Sequence, residues 1–426
     1  MRPTRAGSDF HFRAFADNMR WFVLPDLVVR AVETDEELYQ ANDLMAKVHY
    51  LDYFEGARRL ETCWSAYPGF RREHTRVAFW KDDLAASLRL TTDTIRIGEA
   101  RLKMGGLGFV TTVGQFRNKG VGRELIQHTL QYMEDHNYHV STLFGIANFY
   151  HRFGFIATLA EYATTVYVLE AQAAPNPPYR MRQGKPGDIR AIQKIHNVND
   201  GEVACSLIRS AAHITSRWED WKHVRVLTDD RGKVTAYFVM RTTESELDIL
   251  EMGGVDYAAC GAILHACAAV AAEECVSAIR FLAPPSHPLI RFLLQYRSTH
   301  ETRIQRDQGG MMAFVNVGET LESMIPEWES ALMRSAVREL KTEVTLLVDK
   351  KPYRVRANRG AVDVSAASGM NKMSVSAAEL MHLMTGYRYL DEILSAQRRI
   401  ITAEGRALLT AMFPKRTPYV WRLDRF

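Results

Sequence analysis

Residues 110–125 read VTTVGQFRNKGVGREL: a β-branched apolar run, a basic turn holding Gly120 and Gly122, and the opening of a helical pattern. A strand-to-helix turn of this kind suits an anion. Glycines let the backbone approach without Cβ interference, and the unsatisfied N–H groups of a helix start point at negative charge. Arg117 and Lys119 add positive charge outside the turn. Two familiar phosphate loops fail on residue type. A nucleotide P-loop needs Gly and then Lys before Ser or Thr, whereas Lys119 precedes Gly120 and position 121 is Val. A dinucleotide fingerprint needs a third glycine where Leu125 stands. A pyrophosphate cradle, RNKGVG at 117–122, fits better, beside the plainer reading of an ordinary strand-to-helix turn.

Outward from the turn, the pattern is that of a mixed sheet with helices. LPDLVVRAVETDEELYQANDLMAKVH (24–49) predicts a strand through Leu27, Val28 and Val29, then a helix opened by a Thr34/Glu37 capping box. TRVAFWKDDLAASLRLTTDTIRIG (75–98) predicts successive strands joined at Lys81-Asp82-Asp83, and GGLGFVTTV (105–113) a strand entered through its glycines. After the turn, Val121, Leu125, Ile126, Tyr132 and Met133 form one apolar stripe of a helix. YHVSTLFGIA (138–147) predicts a strand, NFYHRFGF (148–155) a short helix ended by Gly154, and ATTVYVLEA (163–171) a closing strand. The order is β-α-β-β-β-α-β-α-β.

AQAAPNPPYR (171–180) reads as a linker, and a second copy of the layout follows it. YRMRQGKPGDIRAIQKIHNV repeats the strand and helix, and Asp230-Arg231-Gly232 predicts a hairpin turn. CGAILHACAAVAAEE takes the place of the helix after the cradle, but GGVDYA precedes it with no basic turn. From about Thr320 the pattern is helix, strands (343–367), then helix with Ser374 as its expected cap. The expected division is an N-terminal extension (1–26), a first α/β repeat (27–172), a second (173–318) and an α+β unit (319–426).

Composition narrows the function. The 426 residues are too many for one ordinary domain, and 47% hydrophobic with 24% charged content is that of a globular protein. No run approaches the roughly 20 apolar residues of a membrane span, and the start lacks a secretory core, so the expected address is cytoplasmic. Five cysteines without a C-x-x-C pair argue against disulfides and structural zinc, and fourteen histidines without ligand spacing predict no metal. A net charge of +4 without a basic stripe makes nucleic acid a poor partner.

The RNKGVG turn resembles motif A of the GNAT acetyltransferases, [QR]-x-x-G-x-[GA], which binds coenzyme A. FYHRFGF (149–155) strengthens the likeness, because those enzymes carry a tyrosine on the short helix after the next strand, and Tyr150 stands there. Taken as core packing, Phe149, Tyr150 and Phe153 would be ordinary buried aromatics. Two such repeats, the second lacking the cradle, followed by a domain resembling the sterol-carrier fold, look like the Eis (enhanced intracellular survival) family of aminoglycoside and amine N-acetyltransferases over residues 27 to 426. The resemblance implies acetyl-CoA as cosubstrate, held by Val110, Thr111, Thr112, Val113, Arg117, Asn118, Lys119, Gly120, Val121, Gly122, Arg123 and Asn148. It implies Tyr150 as general acid and the carboxylate of the terminal aromatic residue, here Phe426, as general base. It also implies a homo-oligomer, a trimer or a hexamer built as a pair of trimers. The closing YVW and terminal Phe suggest a tail that docks. Two departures stand out: Asn118 replaces a frequent second arginine, and the leader of about 26 residues is long.

The implied reaction is direct acetyl transfer to an amine of a multi-amine small molecule, with a backbone N–H of Thr112 or Val113 polarising the thioester carbonyl. No cysteine nucleophile is required. A polyamine calls for carboxylates and aromatic faces, and Glu36, Glu37, Trp64, Tyr67 and Phe70 are the candidates on the early helices. The rival readings are an acetyltransferase acting on protein lysines or N-termini, and a lipid- or sterol-binding scaffold without catalysis.

Overall fold

The computed structural model describes residues 26–175, 177–396 and 401–426; all of the expected extension except Asp26 lies outside the described residues. The first repeat contains β1 (Leu27–Ala31), α1 (Asp35–His49), α2 (Tyr53–Glu61), β2 (Thr75–Trp80), β3 (Asp83–Ile97), β4 (Ala100–Thr112), α3 (Val121–Asp135), β5 (Val140–Gly145), β6 (Ile156–Leu159) and β7 (Glu161–Tyr167). The second contains β8 (Arg180–Gln183), α4 (Ile189–Asn199), β9 (Val224–Thr228), β10 (Val234–Thr242), β11 (Glu246–Gly254), α5 (Tyr257–Glu273), β12 (Ala278–Phe281), α6 (Pro288–Leu293), β13 (Ser298–Arg303) and β14 (Gly309–Phe314).

Each repeat builds a seven-stranded sheet, but the two exchange strands. The first has the order β1-β2-β3-β4-β5-β14-β6 and the second β13-β7-β12-β11-β10-β9-β8. The closing strand expected at 163–171 therefore belongs to the neighbouring sheet, where β7 pairs antiparallel with β12 and β13. In return β14 enters between β5 and β6. The sequence boundary at 172/173 therefore divides the chain without dividing the two sheets. An alternating strand records which face is buried and does not record its partner.

Local chemistry sets most element ends. Thr34 accepts the Glu37 N–H at 3.1 Å as expected, while the Glu37 carboxylate reaches one residue further back, to the Glu33 N–H at 2.8 Å. The stripe on α3 is buried at Val121, Leu125, Ile126 and Met133, with Tyr132 half-buried. Asp229 closes the β9–β10 turn by accepting from the N–H groups of Arg231 and Lys233, and Gly232 supplies φ = 76° there. β4 starts five residues before its glycines, because the tight turn at Gly98-Glu99 folds Ala100 back onto Ile97. The glycines lie inside the strand and do not open it.

The C-terminal unit contains α7 (Val317–Ser323), α8 (Ile325–Arg334), β15 (Lys341–Val348), β16 (Lys351–Asn358), β17 (Ala361–Ser365), β18 (Lys372–Val375), α9 (Ala377–Met384), α10 (Leu390–Ala396) and α11 (Ala403–Met412). Its four strands have the order β17-β16-β15-β18. Ser374 lies in β18, and the cap is Ser376: its hydroxyl takes the Glu379 N–H while Glu379 takes the Ser376 N–H. Ser374 has Ala377 three residues on and cannot form that reciprocal pair. Among the described residues no helix is long and apolar enough to cross a membrane.

Candidate functional site

The central feature is an opening between two parallel strands. β4 and β5 pair only from Met104 with Val140 to Gly106 with Thr142. Beyond Gly106, β4 turns away because its register against β3 slips between Ser87 and Arg89. Phe109 sits in that bulge with φ = 53°, a left-handed conformation that a bulky residue rarely takes. Its ring is held by Trp64 at 5.1 Å, His49 at 5.6 Å and Tyr50 at 6.1 Å. His49, the last residue of α1, also meets Thr111 Oγ1 at 2.9 Å.

The bulge decides which amides face the opening. The Val113 N–H donates to the Ala85 carbonyl at 2.9 Å and is not available to a ligand. Antiparallel alternation turns the Thr112 N–H to the other edge, where β5 has diverged. Of the two donors named for the thioester, only Thr112 faces the gap.

The cradle follows. Gly120 has φ = 89° and Asn118 φ = 62°, so the turn uses two left-handed residues before α3. Asn tolerates that conformation better than arginine, which accounts for Asn118 at this position. The first N–H groups of α3 have no partner within the helix; the Glu124 N–H is the first to bond back, to the Gly120 carbonyl. A side chain at Gly122 would place its Cβ 3.1 Å from Thr112 Oγ1, so the glycine keeps the turn close to the strand. Arg117 is exposed, with Nε bonded to the Thr112 carbonyl. The Lys119 ammonium lies 5.7 Å from the Phe116 ring and 5.9 Å from Trp80. Arg123 leans on Glu124 at 3.6 Å. Val121 is buried and roots the helix. The second repeat fills the same place with its own acid: Asp256 caps α5 by accepting the Ala259 N–H at 2.8 Å. A carboxylate there repels a pyrophosphate.

Val110 is half-buried and Thr111 buried beside the bulge. Asn148 is exposed beyond β5, its N–H bonded to the Asp307 carbonyl. Tyr150 lies on the short turn Tyr150–Phe153, only 8% exposed. Its ring rests against Gly145, where a Cβ would overlap it. Burial pushes its hydroxyl up to about 12.

The tail docks on the other face. Tyr419, Val420 and Trp421 are buried, and Phe426 packs edge-on against Phe144 at 6.3 Å. A Cβ at Gly106 would overlap the Phe426 ring, and one at Gly108 would lie 3.2 Å from its carboxyl carbon. Phe426 therefore sits directly over β4, its ring and main-chain carbonyl carbon in a recess made by two glycines on one face of the strand. Phe144 and Gly145 are neighbours and point to opposite faces. Phe426 and Tyr150 thus flank the β4–β5 opening from its two sides.

Of the acceptor candidates, Trp64 and Tyr67 share a cluster with Phe109 and Phe426. The Tyr67 hydroxyl donates to Asp93 at 3.0 Å, which also meets His213 at 3.0 Å. Phe70 lies under the Arg89 guanidinium at 5.0 Å. Glu36 and Glu37 are not brought to the site. They open α1, about 18 Å along the helix from His49, and Glu37 is paired with Arg30 at 2.7 Å, which holds its carboxyl down to about 2. Sequence reasoning missed His49, Phe109 and Asp93. Only the alternate glycines at 106 and 108 offered a signal, since glycine within a strand marks close approach of another chain segment.

Among the described residues no three His, Cys, Asp or Glu side chains converge as a metal site. Residues 29–157 match the family described as "Acetyltransferase (GNAT) domain". No curated protein matches the chain in sequence. Solved structures do match. A GCN5-related N-acetyltransferase from Anabaena variabilis has a TM-score of 0.71 at 14% identity, covering 94% of this chain and 100% of that one. A probable N-acyltransferase from Enterococcus faecalis has 0.73 at 15%, with the same coverage. Eis1 from Mycobacterium abscessus has 0.65 at 14%, again covering 94% and 100%. The chain has a GNAT-type acetyltransferase fold.

Proposed function

We propose that the protein transfers acetyl from acetyl-CoA to a primary amine of a multi-amine small molecule, in the manner of the Eis-like enzymes it resembles. The observation that carries this reading is the Phe426 carboxylate held over Gly108, across the β4–β5 opening from Tyr150. The cradle of Asn118 to Gly122 takes the pyrophosphate, with Arg117, Lys119 and Arg123 adding charge. Pantetheine runs along β4 at 110–112, and the Thr112 N–H receives the thioester oxygen as it becomes an oxyanion, worth roughly 3–4 kcal/mol.

An amine is protonated at neutral pH and does not attack in that form. The terminal carboxylate attracts the ammonium and accepts its proton. The freed nitrogen attacks the thioester carbon, a C–N bond forms, and the C–S bond breaks. Tyr150 is protonated at neutral pH, as any phenol is, and burial holds it further in that form. It donates its proton to the departing sulfur and recovers one from the newly acylated nitrogen, which leaves a free thiol and a neutral amide. The acceptor meets Trp64, Tyr67 and the terminal carboxylate on the α1 side. The C-terminal unit, expected to be sterol-carrier-like, closes around Val344, Leu346, Val355, Leu380 and Leu408, all buried. The unit runs directly into residues 413–426, which supports a role in presenting the tail.

The test is coenzyme A release from acetyl-CoA with a panel of multi-amine acceptors and a lysine peptide. Turnover with the small amines and little with the peptide supports the reading. Turnover with the peptide alone moves the substrate to protein, and failure of acetyl-CoA to bind removes the cradle.

A further inference from the structure

The second repeat lacks the cradle, yet the place beside its own central pair of parallel strands is occupied. β11 and β12 pair in parallel from Glu246 with Ala278 to Ile249 with Phe281, as β4 and β5 do. Beyond that point the tail crosses the opening. Tyr419 Oη donates to the Leu282 carbonyl at 2.9 Å, and Trp421 stands edge-on to the His287 ring at 5.5 Å. Trp421 Nε1 donates to Asp200 at 2.6 Å, at the end of α4. Asp424 accepts from Nε and Nη2 of Arg209 at 2.7 and 2.8 Å. The rest of that guanidinium donates to Glu251 on β11 at 2.5 and 2.7 Å.

Arg209 is 2% exposed and Glu251 fully buried. Such a network costs desolvation that an apolar contact would avoid, so it is weak evidence for stability. A two-pronged guanidinium does fix direction and distance together. Here it fixes Asp424, two residues before the terminal carboxylate. Arg217 Nη1 then donates to the Arg425 carbonyl at 3.2 Å, and Arg425 pairs with Glu161 at 2.7 Å. Every residue from Tyr419 to Phe426 is buried or half-buried.

We propose that the second repeat is a tail clamp. The region where β11, β12 and the end of α4 meet holds residues 419–424 as a resident peptide, and Arg209 is the positioning residue that sets where the Phe426 carboxylate stands over Gly108. The catalytic part of this inference rests on Phe426 acting as the base; the clamp itself does not.

The experiment uses the full chain with Asp424→Asn, which keeps the size and turns an amide donor toward the guanidinium. Four quantities are followed: release of Phe426 by a carboxypeptidase, acetyl-CoA affinity, kcat for amine acetylation, and the thermal midpoint. Release of Phe426 is expected to quicken by at least about tenfold, the scale of one charge-assisted hydrogen-bond pair. kcat falls by a similar factor while acetyl-CoA affinity is unchanged. Trp421→Phe, which keeps an aromatic ring at that position and drops the bond to Asp200, moves the same quantities in the same direction, and it carries the test if the first variant does not fold. Wild-type release of Phe426 from a folded variant overturns the clamp. A lowered thermal midpoint with wild-type release and kcat overturns it too, because the network would then support only the fold. Wild-type protein that binds no acetyl-CoA but guards its tail sinks the acetyltransferase reading, and the protease result still decides the clamp.

Discussion

Gly106→Ala is the smallest change that moves the terminal residue. The new methyl would overlap both the Phe426 ring and the Thr91 hydroxyl. Thr91 is buried within β3 and pairs with Gly106 across the ladder, so the strand cannot yield. The ring must move instead, by more than about 1 Å to restore a carbon–carbon separation of about 3.5–4.0 Å. A shift of about 1 Å in a catalytic group lowers turnover by about a hundredfold. Overpacking costs about 1–3 kcal/mol of stability. The assay is steady-state coenzyme A release at saturating amine with acetyl-CoA varied, beside thermal unfolding. Expected are a kcat loss near a hundredfold and an unchanged KM for acetyl-CoA, because the cradle lies beyond the bulge. Gly187→Ala is the control: its Cβ would meet nothing within 4 Å, and it should match wild type. A Gly106→Ala protein with wild-type kcat would refute the placement of the carboxylate as the cause of turnover.

Tyr150→Phe removes the proton donor while keeping the ring on Gly145, and should lower kcat by about a hundredfold with little change in acetyl-CoA affinity; single-turnover acetylation measures it. Gly120→Ala forces a Cβ into φ = 89° and costs about 1–2 kcal/mol, so acetyl-CoA affinity by calorimetry should weaken by about tenfold. His287 is held neutral by burial, its pKa lowered from 6.5 to about 3. The unfolded chain takes up that proton first, so stability should fall as pH drops from 6.5 toward about 3. His287→Asn should flatten this dependence in denaturant titrations, and an unchanged slope would assign it to other groups.

Much of the geometry of the candidate site was legible because it is local. RNKGVG carries its own glycines and charges, and one Asp in the matching place of the second repeat explains why only one cradle exists. Tyr150 was readable from its neighbours, with Gly154 ending the turn at φ = 82°. The strand exchange was not legible, since β7 and β14 alternate in the same way whichever sheet receives them. The bulge was also silent: Phe109 has high strand propensity, and the rings that surround it, Trp64, Tyr50 and His49, come from segments 45 to 60 residues away. Glu36 and Glu37 were misplaced because amphipathic spacing gives a helix face, not which end of the helix meets the site. The Arg209–Asp424 pair joins residues 215 apart in sequence, beyond any local pattern.

The most direct test of the central claim is acetylation by a protein carrying two extra glycines after Phe426. The extension moves the carboxylate away from Gly108 and leaves the cradle, Thr112 and Tyr150 in place. Loss of amine acetylation with acetyl-CoA affinity unchanged is the predicted result. Acetylation at the wild-type rate would contradict it and place the base elsewhere.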